Sequence, residues 1–161
     1  NFKTIAIRVC ERVPKALWCG ISPEAEAPCL LMDESGKVYE LAADFSGPVY
    51  VEYFGTSTGK RLPQQYLTQG QFTSLVALVT ALKDMQGQVI VRVMVDEHSD
   101  VYAKFENGFT LMFVLADDGG DVYERFALAQ SAEPFKDRKL SDFEYLDLRF
   151  GDRLYYKLKG E

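Results

Sequence analysis

The sequence predicts an α+β protein with mostly antiparallel sheets, two or three helices and two small subdomains. Strand-like runs dominate the first forty residues, one later segment has helical periodicity, and further strand-like runs follow it with turn signals between them. This order is typical of segregated strands and helices rather than of alternating βα units. The chain has 161 residues, 47% of them hydrophobic, which is enough to fill the core of one ordinary domain or two small ones.

The first forty residues predict four strands. Residues 4–13 alternate apolar and polar side chains, and residues 16–21 are mainly apolar. Residues 29–33 then lead through the turn sequence DESGK into residues 38–41. The glycine in that turn accepts the positive φ that a tight hairpin requires. We assign these strands to a first subdomain, residues 1–54.

The second subdomain, residues 55–161, begins with a connection and a helix. Residues 54–70 are rich in Gly, Thr, Ser, Gln and Pro, a composition typical of a link between two packed units. From Phe72 onward, apolar residues recur at helical spacing until shortly before Gly87. This pattern predicts a helix over residues 71–85.

Three further strands and a second helix follow. Asp121 is the predicted N-cap of a short helix over residues 121–130, because Asp can accept hydrogen bonds from the first free amides of a helix. We expect two sheets, one in each subdomain. The three predicted strands are joined by the turn sequences DEHSD and ENG and cover residues 89–95, 101–105 and 110–115.

The charge pattern disfavours a nucleic-acid partner. The formal net charge is -6, and Lys and Arg are scattered among Asp and Glu, whereas nucleic-acid binders concentrate positive charge on one face. The longest mainly apolar runs, residues 74–82 and 109–116, are much shorter than the ~20 residues that a helix needs to cross a bilayer. Because the chain opens on Asn1 instead of Met, we expect it to be part of a longer parent protein.

Three cysteines leave two alternatives open. Cys10, Cys19 and Cys29 lack the CxxC spacing and the His cluster typical of a zinc site, so we expect no metal and no cofactor. In an oxidising compartment, Cys19 and Cys29 could close residues 20–28 as a disulfide, but spacing alone does not establish the Cα geometry. We expect three buried free thiols, with this disulfide as the alternative.

Three stretches imitate chemical motifs. Residues 55–61, GTSTGKR, have only three residues between their glycines, and Arg61 stands where a phosphate-binding loop requires Ser or Thr. Residues 116–121, ADDGGD, lack the twelve-residue spacing of a calcium loop. His98 lies among acidic residues in VDEHSDV, but short polar residues are expected in a strand-to-strand turn. We expect no enzymatic activity; the alternative is a small enzyme whose activity would be lost in His98→Ala.

The chain closes with a predicted hairpin over residues 144–159, EYLDLRFGDRLYYKLK. Its two apolar faces meet on one core face only if Phe150 pairs with Leu154. That pairing predicts a three-residue loop, residues 151–153, because a two-residue turn would align Phe150 with the residue before Leu154. The apolar residues are Leu146, Leu148 and Phe150 in the first strand and Leu154, Tyr156 and Leu158 in the second.

The opposite face of this hairpin is predicted to carry excess positive charge. Such a face would steer an acidic segment of a partner toward it. Lys on an edge strand is also the ordinary protection against aggregation, which is the alternative explanation. The residues on this face are Asp147, Arg149, Arg153, Tyr155, Lys157 and Lys159.

Two stretches near the start resemble a known family. Residues 7–16, IRVCERVPKA, contain a hydrophobic-x-Val-x-Glu-Arg-x-Pro-x-Ala pattern, and residues 31–40, LMDESGKVYE, contain an Asp-x-x-Gly hairpin. Both resemble the second half of the POTRA module in bacterial cell-division proteins of the FtsQ/DivIB type. The later elements, closing with YLDLRFGDRLYYK, are similar to the C-terminal β subdomain of that family. The first strand and helices of a POTRA module have no counterpart here, so residues 1–53 can form only part of one.

The resemblance implies a non-enzymatic scaffold in the division machinery, or divisome, which acts in septum formation. Such proteins are anchored in the inner membrane by a single helix, absent from this chain, and place these domains on the extracytoplasmic, periplasmic side. Small coiled-coil membrane proteins of the FtsB/FtsL type are the implied partners, bound by strand addition at the C-terminal edge; self-association through that edge is a further expectation. A POTRA-containing receptor or assembly protein of another envelope complex is the alternative. The residues expected to bind the partner are Phe150, Leu154, Tyr155, Tyr156, Lys157, Leu158 and Lys159.

Overall fold

The computed structural model describes residues 6–59, 61–116 and 118–160. Within them are two α-helices, α1 (Gln69–Gln86) and α2 (Gly119–Ser131), and two single-turn 3-10 helices, Pro23–Ala25 and Leu140–Asp142. The strands are β1 (Ala16–Trp18), β2 (Leu30–Met32), β3 (Lys37–Leu41), β4 (Glu52–Phe54), β5 (Gln64–Gln65), β6 (Ile90–Val95), β7 (Asp100–Phe105), β8 (Thr110–Val114), β9 (Phe143–Phe150) and β10 (Arg153–Leu158).

The strands form one mixed sheet in the order β10-β9-β8-β7-β6-β4-β1-β2-β3-β5. The pairs β1–β4, β4–β6 and β8–β9 are parallel, and the other pairs are antiparallel. This arrangement confirms the α+β class with a mostly antiparallel sheet. The expectation of two separate sheets was wrong, because β4 pairs in parallel with both β1 and β6 and so joins the two halves. The subdomain boundary at residues 54–55 stays a prediction.

The sequence located both helices, but not the start of the second. Thr68 and Gln71 form a capping box at the start of α1, and Gly87 ends that helix with a φ of 59°. In α2 the N-cap is Asp118, whose carboxylate accepts the amide of Gly120 at 2.7 Å. The predicted cap, Asp121, lies instead in the first turn, where a carboxylate also favours the positive end of the helix.

Both helices pack on one face of the sheet and create the main core. Ring contacts extend across it: Phe109 stacks on Phe126 of α2 with centroids 6.3 Å apart, and Tyr53 meets Phe72 of α1 edge to face at 5.4 Å. On the opposite face, the described residues form a smaller hydrophobic cluster around Leu17, Cys19 and Phe54. Core residues include Met32, Val38, Tyr53, Phe72, Leu82, Val93, Phe105, Phe109, Leu111, Phe126, Phe143, Leu146 and Leu148.

The strand predicted over residues 4–13 was wrong for its described part; residues 1–5 lie outside the described residues. Residues 6–13 form no strand, although their apolar side chains alternate and are exposed. Alternation produces a strand only where another strand offers its backbone groups, and here the first backbone bond to β2 is made by Lys15, whose amide donates to Met32 at 2.8 Å. Arg12 nevertheless pairs with Asp33, so the ERVPKA segment contacts the DESGK turn.

A disulfide joins Cys19 to Cys29, and Cys10 is an exposed free thiol. The expectation of three buried free thiols was therefore wrong, and the alternative was right. The antiparallel register of β1 and β2 pairs Trp18 with Leu30. Cys19 follows Trp18 and Cys29 precedes Leu30, so the two cysteines lie opposite each other with Cα atoms 4.1 Å apart.

Candidate docking edge

Strand β10 lies at one end of the sheet, with β9 as its neighbour. The amide of Lys159 donates to the carbonyl of Asp142 at 2.9 Å, on the β9 side. Because backbone groups alternate in direction along an extended strand, those of Tyr155 and Lys157 also point toward β9. The N-H and C=O groups of Tyr156 and Leu158 therefore point away from the sheet. No strand in the described ranges covers them.

The hairpin turn has two residues, not three. Phe150 pairs with Arg153, which leaves Gly151 and Asp152 in the loop, and Gly151 has the positive φ of 61° that a tight turn demands. The predicted pairing of Phe150 with Leu154 was therefore wrong. Phe150 also leaves the core face: it is 55% exposed and meets the ring of Tyr155 edge to face, with centroids 5.2 Å apart.

A register shift in the hairpin lets the apolar residues of both strands share the core face despite the two-residue turn. Between Arg153 and Tyr155 the partner on β9 moves by three residues, from Phe150 to Asp147, so β9 contains one extra residue there. After this bulge, Tyr156 pairs with Leu146. The second strand consequently faces the helices with the side predicted for it, Leu154, Tyr156 and Leu158.

Tyr156 is partly held in the core and partly exposed. Its ring meets Phe135 and Phe143 edge to face, with centroids 5.4 and 5.9 Å apart. Tyr156 is nevertheless 43% exposed to solvent, and Leu154 is 41% exposed. The edge is therefore packed against the core on its inner side while it presents apolar surface to solvent.

Arg149 ties the hairpin to the middle of the sheet. Its Nε and one terminal nitrogen contact the Asp147 carboxylate at 2.9 and 2.6 Å, and the other terminal nitrogen contacts Asp100 on β7. That nitrogen also donates to the Tyr102 hydroxyl at 3.2 Å, and the guanidinium lies 5.5 Å from the Tyr102 ring centre. Arg149 thus reaches across β8. We call these four residues, Asp100, Tyr102, Asp147 and Arg149, the Arg149 clamp.

Asp147 is the buried member of the clamp, with 5% of its surface exposed. Burial by itself would raise the pKa of its carboxyl, but hydrogen bonds from the Arg149 side chain and amide outweigh burial and lower the pKa. The same contacts raise the pKa of Arg149. Sequence reasoning placed Asp147 and Arg149 on one face through their spacing of two, but nothing local pointed to Asp100.

The open face of the hairpin has less unbalanced positive charge than predicted. Arg149 is compensated by the two carboxylates of the clamp, and Lys157 pairs with Glu144 at 2.6 Å. A hydrogen bond with Glu144 raises the pKa of Lys157. Lys159 donates to the carbonyl of Asn107 at 3.1 Å. The excess of positive charge on this face is therefore smaller than the sequence predicted, because strand pairing places carboxylates beside two of its cations, Arg149 and Lys157.

An apolar groove of about 380 Å³ adjoins the edge at the hairpin tip. It lies between the end of α2 and the turn, on the side that Leu154 faces. The guanidinium of Arg125 forms part of its wall and donates to the carbonyl of Leu148. The groove extends the exposed apolar surface of the edge, and its apolar lining comes from Leu128, Ala129, Ala132, Leu148 and Leu154.

In the structure, the three stretches that imitate chemical motifs are a strand-to-strand turn around His98, a loop around Thr58 and the start of α2. The Asp96 carboxylate accepts the amides of His98 and Asp100, each at 2.9 Å, and His98 is exposed. Thr58 in the GTSTGKR stretch bridges to Gln65, while Lys60 of that stretch and Asp117 of ADDGGD lie outside the described residues. Within the described ranges, no three His, Cys, Asp or Glu side chains are grouped to hold a metal ion.

Comparison with known proteins adds no family. No protein-family model matches the sequence, and a search of curated proteins finds no match. In the described part of the chain, neither helix has the length and hydropathy needed to span a bilayer.

Proposed function

We propose that this chain is a non-enzymatic interaction module of the bacterial division machinery. It recruits small coiled-coil membrane proteins of the FtsB/FtsL type, which add a strand to β10. The parent protein acts on the extracytoplasmic side of the inner membrane, to which a helix outside this chain anchors it.

The observation that carries this proposal is the open edge of β10. An unpaired edge strand is usually shortened, charged or covered, because it invites other strands. Here the backbone groups of Tyr156 and Leu158 point outward, and the flanking side chains of Leu154 and Tyr155 are exposed. Main-chain pairing would provide much of the affinity of an added strand, while alternate side chains select its sequence.

Two further features support the proposal. The edge coincides with the stretch that resembles the closing hairpin of the FtsQ/DivIB family. The Cys19–Cys29 disulfide suits an oxidising compartment such as the periplasm, because cytosolic thiols are kept reduced.

The proposal is tested with a matched pair of variants at the edge. Tyr156→Pro and Tyr156→Ala both remove the ring contacts with Phe135 and Phe143, but only proline also removes the outward N-H. Loss of that donor leaves a carbonyl of the added strand unpaired, which costs about 1–3 kcal/mol, roughly a 5- to 150-fold loss of affinity. Calorimetry would use the soluble extracytoplasmic segment of the FtsB-like protein from the same organism.

We expect tight binding by wild type, weaker binding by Tyr156→Ala and a further loss in Tyr156→Pro. Circular dichroism checks that all three proteins are folded. Equal affinities of the two variants would show that the backbone of this edge is not the docking element. Folded wild-type protein that does not bind the segment at all would overturn the proposed function.

Lys157→Glu tests the charge of the edge. The variant reverses the charge that Glu144 balances, so it places two carboxylates side by side at this point of the open face. We expect an acidic partner segment to bind several-fold more weakly, mainly through slower association, while stability changes little because the pair is exposed. Titrations at low and high salt measure the effect, and Lys157→Gln is the neutral control. Unchanged affinity for Lys157→Glu would mean that the partner is not selected by charge here.

A further inference from the structure

We propose that β10 also pairs with β10 of a second copy of this chain, antiparallel, with Tyr156 on the two-fold axis. The two sheets then become one continuous sheet through a self-complementary edge. The inference rests on the open edge and its residue order, and it does not depend on the proposed division partner.

The backbone of β10 suits two-fold pairing about Tyr156. The groups that point away from β9 belong to every second residue, and Tyr156 is the middle one of Leu154, Tyr156 and Leu158. Centring the axis on Tyr156 pairs it with its own copy and places Leu154 opposite Leu158 on both sides. All three residues then exchange their outward N-H and C=O groups with the second copy.

The side chains agree with this register on both faces of the sheet. On the helix-covered face, Leu154 of one copy lies beside Leu158 of the other, and the two Tyr156 rings are neighbours. On the open face, Tyr155 lies opposite Lys157, so its ring lies beside the aliphatic stem of a lysine whose ammonium group pairs with Glu144. Cross-strand pairs of these kinds stabilise antiparallel sheets.

Neighbouring registers are less favourable. A shift of two residues in one direction places Lys157 directly opposite its own copy, and the other direction places Arg153 opposite Lys157. Like charges directly opposite destabilise a strand pair. The proposed register has one like-charge pair at each end, Arg153 with Lys159. There the Lys159 ammonium group bonds to the Asn107 carbonyl, and the exposed Arg153 can extend away from it into solvent.

Such a dimer is expected to be weak. A single pair of six-residue strands buries far less than the roughly 1,000 Å² typical of a stable interface, so we expect dissociation constants between about 1 μM and 1 mM. A weak dimer protects the edge from aggregation and yields to a partner that binds more tightly. Self-pairing and partner binding are then mutually exclusive.

Disulfide trapping tests the register directly. In a Cys10→Ser background, which removes the exposed free thiol, Tyr156→Cys places two thiols across the axis with Cα atoms about 5.5 Å apart. Leu154→Cys is the matched control, because Leu154 and Tyr156 are 41% and 43% exposed on the same strand. Its two copies would lie more than about 13 Å apart in this register, four residues along the strand.

The expected result is rapid covalent dimerisation of Tyr156→Cys under mild oxidation and little of Leu154→Cys, on non-reducing gels. Wild-type chain should show concentration-dependent association in sedimentation equilibrium. Equal trapping of both variants, faster trapping of Leu154→Cys, or a wild-type monomer at about 1 mM, the weak end of the expected range, would overturn the inference. Because trapping and sedimentation use this chain alone, their failure is distinct from a failure to bind the division partner.

Discussion

Replacing Arg149 by Met should destabilise the protein more than any ordinary surface change. Methionine keeps much of the apolar length but removes the contacts with Asp147 and Asp100. The Asp147 carboxylate then remains buried without the guanidinium. It keeps the hydrogen bond from the backbone amide of residue 149, at 3.0 Å. Breaking a buried ion pair typically costs 3–5 kcal/mol, and partial exposure of Arg149 places this case near about 3 kcal/mol.

Urea and thermal unfolding measure this loss. For a chain of this size, about 3 kcal/mol corresponds to a decrease in Tm of roughly 6–12 °C. The double variant Asp147→Asn/Arg149→Met should recover most of the loss, because no buried charge is left without its partner. A double variant that loses as much as the two single variants together would show that the ion pair is not the source of stability.

The pH dependence gives an independent check with a defined sign. In wild type the pKa of Asp147 is lowered, so its contribution is fully present above its unfolded value of about 3.9 and is lost as the pH falls through the folded pKa. In Arg149→Met, burial without the guanidinium should raise that pKa. The stability difference between the proteins should then be largest near pH 7 and shrink toward pH 3. A difference that is constant across this range would refute the electrostatic explanation.

Two further changes test the frame around the edge. Replacing both Cys19 and Cys29 by Ser should lower the free energy of unfolding by about 3 kcal/mol, because the cross-link that closes a loop with a sequence separation of 10 no longer constrains the unfolded chain. Reductant should have little effect on the stability of that variant. Gly55→Ala should cost at least about 2 kcal/mol, since its φ is +137° and a Cβ would lie 2.5 Å from the Val95 carbonyl oxygen. Gly87→Ala is the control for the second change: with nothing within 4 Å of its Cβ it should lose only about 1 kcal/mol in chemical denaturation, and equal losses would contradict the close approach at Gly55.

Local signals explain which elements were predictable. The helix expected over residues 71–85 is α1, because its apolar spacing and its caps at Thr68 and Gly87 act within a few residues. The closing hairpin was predicted for the same reason, from two alternating runs around Gly151. The second helix was found one turn late because two Asp residues, three positions apart, could each serve as its cap.

Register was the point at which local reasoning failed. The hairpin loop was expected to contain three residues because a two-residue turn aligns Phe150 with Arg153, which in a regular ladder places the apolar residues of the two strands on opposite faces. The structure has the shorter turn, and one extra residue in β9 restores the shared face for Tyr156. A bulge adds one unpaired residue without breaking the strand, and its position depends on the packing of neighbouring strands, so the alternating pattern did not reveal it.

By itself, the sequence determined the α+β class, both helices and the closing hairpin, because periodicity, caps and turn residues act over short distances along the chain. Tertiary structure decided that the halves share one sheet, that Cys19 meets Cys29, and that Arg149 reaches Asp100 across 49 positions. It also decided which backbone groups of β10 point outward. Each of these features depends on which strands become neighbours and in which register, and that choice is made by the whole core at once.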